Sequence, residues 1–297
     1  MKSNAQVFKR QTQDGFELDA ILFSPAKKTD TVILHFHGKE GDFLQNHFIQ
    51  TMAENFPKEN IAFMTASHRG RSYIVDLMRK SASGFEYIQM GSAFDIFEDC
   101  VYDIDVWVNL AYEQGFKKIY LQQHSTPQKI VWYYYQKKPG IVKGLILISP
   151  SDFAYSFEAY VEDYEKNLSL SKKLLDCGKG RNLMPVTLWS NCPVSAATFY
   201  NWGKVDSNFH LFNYSHPERG FKYFEEISLP MIAIFPENDF SVGKPTDQCL
   251  SLLKKHSKSK NFSTQIISHA HHSFLDHEEE LVRSIKDWVQ KIKYVSG

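Results

Sequence analysis

Lys117-Lys-Ile-Tyr-Leu-Gln-Gln-His-Ser-Thr-Pro127 reads as an apolar strand that turns polar at its end and runs at once into a helix-patterned stretch, residues 130–136 (IVWYYYQ). A strand feeding directly into a helix is half of a βαβ unit. The other pieces lie on both sides of it. Residues 31–38 (TVILHFHG) and 61–70 (IAFMTASHRG) are apolar runs that close on glycine, as strands buried on both faces do. Residues 144–150 (GLILISP), 229–236 (LPMIAIFP) and 264–270 (TQIISHA) repeat the pattern. Helix-period stretches fill the gaps at 43–56, 97–114 and 246–256. In the second, Val101, Ile104, Val108 and Tyr112 share a face and Gly115 stands just beyond the end. Leu281, Ile285, Trp288, Val289 and Ile292 form one apolar stripe in a closing helix. Near the start, VFKRQT and ELDAILFSP flank Asp14-Gly15, a hairpin dipeptide.

This rhythm predicts an α/β fold with a mostly parallel central sheet and helices on both faces. It breaks once. From Ser151 to Ile227 the chain is aromatic, polar and helix-patterned, with no clear strand. The chain therefore divides into a core of residues 1–150 and 228–297 and an insertion of residues 151–227 before the last strands. There is no internal repeat.

Composition narrows the function classes. Thirty-four Lys and Arg balance 34 Asp and Glu, so no net field attracts nucleic acid or an anionic membrane. No apolar run approaches the ~18 residues of a membrane span, and the first residues carry no apolar leader. A cytoplasmic chain is expected, with Cys100, Cys177, Cys192 and Cys249 reduced; a Cys177–Cys192 pair is the one bridge left open. GKGRNLMP (178–185) lacks phosphate-loop spacing, and no GxGxxG occurs, so no cofactor is expected. His269, His271 and His272 do not match a metal-ligand spacing, so no metal is expected either.

Three residues stand just after strands in the order Ser125, Asp239, His272. Singly each has an ordinary reading, as a helix N-cap, a turn residue and an unremarkable histidine. A serine on a sharp strand-to-helix turn also has its hydroxyl exposed near the positive end of a helix. At this point the chain resembles the α/β-hydrolase superfamily over nearly all its length outside the insertion. His37-Gly38 looks like the oxyanion-loop motif, Arg69-Gly70 like the pair after the next strand, and GSAFDIFEDCVYDIDVWV followed by GFKKIYLQQHS like the helix-then-elbow region.

The resemblance implies a catalytic triad of Ser125 as nucleophile, His272 as general base and Asp239 as the acid that orients it. It implies an oxyanion hole from the N–H groups of Thr126 and Lys39, with Glu40 as the alternative to Lys39. His269 and His271 are the alternative bases; on a strand, His271 would point away from His272. The insertion falls where the family carries its cap, and 15 of the chain's 43 aromatics lie in it. An aromatic cap implies a small, apolar or aromatic acyl substrate, cleaved as an ester, thioester or related bond through an acyl-enzyme on Ser125. An acyltransferase or cyclase using the same acyl-enzyme is the first alternative. The elbow also departs from the family: Gln123 and Pro127 stand where small residues are usual, which leaves a weakly active or non-catalytic binding relative as the second. The His-Ser-Thr at the elbow is similar to that of fungal fusarinine-type siderophore esterases. Oligomeric state is not legible.

Overall fold

The computed structural model describes residues 4–295. The chain opens with the antiparallel pair β1 (Asn4–Gln11) and β2 (Glu17–Ser24), joined by a turn in which Gly15 takes φ 99°, a conformation glycine adopts freely. β3 (Thr31–Phe36), α1 (His47–Asn55) and β4 (Ala62–Ala66) follow. Next come β5 (Val75–Ser81), β6 (Gly84–Met90), α2 (Cys100–Glu113), β7 (Lys118–His124), α3 (Gln128–Lys137) and β8 (Val142–Ile148). The stretch 151–227 supplies α4 (Phe153–Tyr160), α5 (Tyr164–Asp176) and α6 (Ala196–Gly203). β9 (Met231–Pro236), α7 (Thr246–His256), β10 (Phe262–Ile267) and α8 (Glu278–Val295) complete the chain.

Eight strands form one sheet in the order β1-β2-β4-β3-β7-β8-β9-β10. β2 is antiparallel to β1 and to β4; every pairing from β4 to β10 is parallel. Buried parallel strands need apolar residues on both faces, and β3 and β9 are buried at every position. Alternate residues serve opposite cores. Val32, Leu34 and Phe36 join the cluster that includes Trp107 of α2 and Ile130 of α3. Ile33 joins the one that includes Met52 of α1 and Trp288 of α8.

The strand order fixes where a site can form. The chain runs outward from β3 to β4, then returns to pair β7 on the other side of β3 and continues to β10. The crevice beyond the carboxyl ends of β3 and β7 is thus a topological switch point, where open α/β sheets hold ligands. The residues just past those two ends are His37-Gly38 and Ser125.

The 151–227 stretch shares a core with the sheet rather than keeping its own: Phe157, Phe199, Trp202 and Phe209 belong to the same apolar cluster as Leu121 and Leu145. Four details differ from the sequence expectations. The β5–β6 hairpin was not foreseen; Leu77 and Met90 are its buried anchors, Val75 and Ile88 are half-buried, and Phe85 and Tyr87 are exposed, so its apolar alternation is faint. The first helix begins at His47, and its expected last residue, Phe56, opens a tighter helical turn instead. β10 ends at Ile267, so residues 268–272 form a loop rather than the end of a strand. All four cysteines are free, which removes the Cys177–Cys192 bridge: Cys177 is exposed and Cys192 buried.

Candidate active site

At the end of β7 the backbone reverses within one residue. Ser125 has φ 65°, a region a side-chain-bearing residue enters only when the surroundings force it. Those surroundings are bonds on each side. The Ser125 N–H donates to the Ile148 carbonyl at 2.8 Å, and the Ser151 N–H donates to the Ser125 carbonyl at 3.2 Å. Pro127 precedes α3 with φ −66°, the angle its ring prefers, at a position whose N–H no helix needs. Gly38 faces the turn so closely that a Cβ there would lie 2.9 Å from Ser125 Cβ. A glycine after β3 is therefore what lets the serine turn exist.

Gln123 does not crowd the turn. Its side chain is fully buried, and Nε2 donates to the His37 carbonyl and to Thr126 Oγ1, both at 3.1 Å. It ties the loop after β3 to the residue after Ser125. Nothing local in the sequence signals this, because the partner carbonyl lies 86 residues away.

Asp239 and His272 meet in loops after β9 and β10. His272 Nδ1 lies 2.8 Å from Asp239 Oδ1. Ser241 donates to the same oxygen from its N–H at 2.9 Å and its hydroxyl at 2.7 Å. Burial pushes the Asp239 carboxyl up, but the facing His272 and the Ser241 donors outweigh it and hold the group below its ordinary value. A carboxylate only accepts, so Nδ1 carries the proton and Nε2 is left as the basic nitrogen. Of the three clustered histidines, His269 is 87% exposed beside Glu237 and His271 is exposed; only His272 reaches the acid. Because the segment is a loop, the expected strand alternation between His271 and His272 does not apply.

Ser125 and His272 line one cavity of about 320 Å³ together with Gly38, Lys39 and Glu40 of the loop after β3. Phe153, Tyr160 and Trp189 from the 151–227 stretch, with Tyr73 and Phe240, supply its aromatic surface. The other aromatics of that stretch mostly pack among themselves, as Trp202 does with Phe209 and Phe157 with Phe199, ring centroids 4.5 and 5.4 Å apart. In this state the Ser125 hydroxyl pairs with Ser151 Oγ at 3.4 Å and, among the described residues, makes no hydrogen bond to His272. The Thr126 N–H is turned back to the His124 carbonyl at 2.6 Å, across a three-residue turn. The Lys39 side chain leaves the cavity wall for a buried niche, 2.7 Å from Glu40 Oε2. Among the described residues no cluster could hold a metal ion.

One neighbour was not foreseen. His124, directly before the serine, donates from Nε2 to the His272 carbonyl at 2.8 Å and so pins the loop carrying His272 to the turn at Ser125. Burial first, then the nearby His272, pushes His124 down to about 3, so it stays neutral. A histidine beside the serine was visible in the sequence, but its partner is a backbone atom and leaves no sequence signal.

No curated protein matches the chain in sequence. Among solved structures, Est1E from Butyrivibrio proteoclasticus superposes with a TM-score of 0.66 at 15% identity, covering 96% of this chain and 99% of that one; it has also been solved with ferulic acid bound. The α/β hydrolase GrgF from Penicillium sp. sh18 gives 0.69 at 14% identity, covering 97% and 98%. A thermostable carboxyl esterase from Bacillus coagulans gives 0.64 at 16%, covering 97% and 98%. At such identities the similarity establishes the fold, which is that of the α/β hydrolases. A family model described as "Protein of unknown function (DUF1749)" matches residues 87–293, well over half of the sequence, and the chain belongs to that family.

Proposed function

We propose that the protein is a serine esterase that cleaves small acyl esters through an acyl-enzyme on Ser125. The observation that carries this reading is His272, backed by the buried Asp239 carboxylate and lining the same cavity as a serine held at φ 65°. In the proposed reaction the Ser125 hydroxyl turns from Ser151 toward His272. Its oxygen attacks the ester carbonyl while His272 Nε2 takes the proton, and Asp239 steadies the imidazolium. The C–O bond then breaks and His272 returns the proton to the leaving alcohol. Water repeats the sequence to release the acid. The developing oxyanion sits beside the Thr126 and Lys39 N–H groups. A bond across a three-residue turn is strained, so a full negative charge competes well for the Thr126 N–H.

Residues 151–227 act in this reading as a cap, and residues 1–150 and 228–297 as the catalytic core. The cap brings Phe153, Tyr160 and Trp189 to the cavity, whose volume is at the low end of the ~300–1,000 Å³ usual for ligand sites. Est1E, built on the same fold, holds ferulic acid, an aromatic acid. Both points support a compact aromatic acyl group. The four free cysteines fit a reducing, cytoplasmic setting.

Labelling with a fluorophosphonate probe, alongside a panel of short-chain and aryl p-nitrophenyl esters, tests the reading. Labelling that is lost in Ser125→Ala, with aryl esters among the best substrates, supports it. The Ser125–Ser151 contact favours a second reading, a weakly active or non-catalytic relative. Absence of labelling and of all ester turnover would support that one instead.

A further inference from the structure

Behind the cavity wall, the loop after β3 meets residues 188–192 at a pair of side chains that the ester chemistry does not use. Lys39 Nζ lies 3.0 Å from Cys192 Sγ, although 153 positions separate them in sequence. The contacts of the other two buried thiols are longer, 3.7 Å for Cys100 and 3.6 Å for Cys249. The Lys39 side chain is 3% exposed, and Cys192 is fully buried. Both groups are fixed from several sides. Glu40 Oε2 accepts from Lys39 at 2.7 Å, and the Trp189 ring centre lies 5.0 Å from Nζ. Ser92 Oγ sits 3.2 Å from the sulfur.

We propose that Lys39 and Cys192 form an oxidative cross-linking site, which peroxide closes into a covalent Sγ–O–Nζ bridge. The 3.0 Å separation leaves room for one oxygen between the two atoms with little backbone movement. Lys39 and Trp189 both contribute to the cavity lining, so the pair lies directly behind a wall that hydrogen peroxide reaches.

The chemistry balances with two peroxides. The Cys192 sulfur attacks one, the O–O bond breaks, and sulfenic acid and water form; sulfur loses two electrons. Lys39 passes a proton through Glu40 to solvent, and its neutral amine attacks the second peroxide, giving a hydroxylamine and water; nitrogen loses two electrons. The hydroxylamine oxygen then displaces the sulfenic hydroxyl, which leaves with the remaining proton as a third water. The product fastens the loop after β3 to residues 188–192. The proposal does not depend on esterase activity.

Mass spectrometry of the full-length protein, treated with hydrogen peroxide and digested without reductant, decides it. The expected product joins the peptides containing Lys39 and Cys192, heavier than their sum by one oxygen and lighter by two hydrogens. Isotope-labelled peroxide should place its oxygen in the bridge, and a thiol reductant should release both peptides. Cys192→Ser and Lys39→Arg should each abolish the product, with circular dichroism confirming that the variants fold; the wild-type spectrum decides the matter even where they do not. Exposed Cys177 reports whether the oxidant acted. Oxidation of Cys177 without the cross-link would overturn the proposal, as would a direct Sγ–Nζ bond lacking oxygen.

Discussion

The Asp239 carboxylate is shut off from solvent and faces His272 Nδ1 at 2.8 Å, while its second oxygen, Oδ2, is buried without a hydrogen-bond partner. All three donors, from His272 and from Ser241 twice, converge on Oδ1. Asp239→Asn keeps the shape but offers an amide in place of an acceptor-only group. The amide can donate to Nδ1 and select the wrong imidazole tautomer. In the proposed esterase, kcat should fall by roughly three to four orders of magnitude with KM little changed. Steady-state kinetics on the best ester checks this, and a loss of less than tenfold would remove Asp239 from the mechanism.

Gly38→Ala should separate the turn from general stability. The added methyl would stand 2.9 Å from Ser125 Cβ and 3.1 Å from the His124 carbonyl, both parts of the elbow. Relief requires the loop or the serine to move, and small displacements of a nucleophile are costly. We expect kcat to drop by about a hundredfold, together with slower fluorophosphonate labelling. An unchanged labelling rate would show that the loop yields and the elbow does not.

Gln123→Gly restores the small residue usual before such a serine, yet it should harm the protein. It deletes the bonds to the His37 carbonyl and Thr126 Oγ1 and leaves a cavity in the sheet. Losing those bonds and gaining a flexible residue should cost about 1–3 kcal/mol. Urea midpoints measure the loss. Equal stability together with faster turnover would mean that Gln123 only obstructs.

The parts of this molecule that were legible in the sequence are those whose signal is local. β3, β8 and β9 are mostly apolar runs, and β7 begins as one, because both faces are largely buried, and that burial is written in each strand itself. The β5–β6 hairpin escaped notice because it lies outside the main sheet and only Leu77 and Met90 are fully buried, with Val75 and Ile88 half-buried against the core. The order Ser125, Asp239, His272 was readable, and the family resemblance already favoured His272 over His269 and His271; the loop that turns the His272 ring to Asp239 was not. Gln123 looked like an obstruction because its compensating acceptor, the His37 carbonyl, belongs to another strand's end. Spacing along one strand carries no record of what its neighbour offers.

Buried histidines should make the protein acid-sensitive above the usual carboxylate range. Burial first, with smaller effects from neighbouring charges, pushes His37 and His124 down to about 3 and His210 to about 4, and holds His35 and His68 well below their ordinary value. The His37 and His68 rings stack at 3.8 Å, so charging both in place would add repulsion. An unfolded histidine binds its proton near pH 6.5, and the folded one does not until far lower. Stability is therefore whole above about pH 6.5 and drains as pH falls toward 3, by about 1.4 kcal/mol per pH unit for each such histidine. Three carboxyls oppose this: burial raises Asp99 to about 6 and lifts Asp95 and Asp152, so their folded forms take up protons and gain stability as pH falls. The raised carboxyls offset part of the histidine loss, and each uncompensated histidine still drains about 1.4 kcal/mol per pH unit. Against a typical total of about 5–15 kcal/mol, such a loss over two pH units is a large fraction of a marginal domain's stability. Urea midpoints should thus fall steadily from pH 6.5 to 4.5, and less steeply in His124→Gln. A midpoint flat over that range, with loss only below pH 4, would place the acid sensitivity in lowered carboxyls such as Asp14 and Asp239, which give up their stabilisation only there.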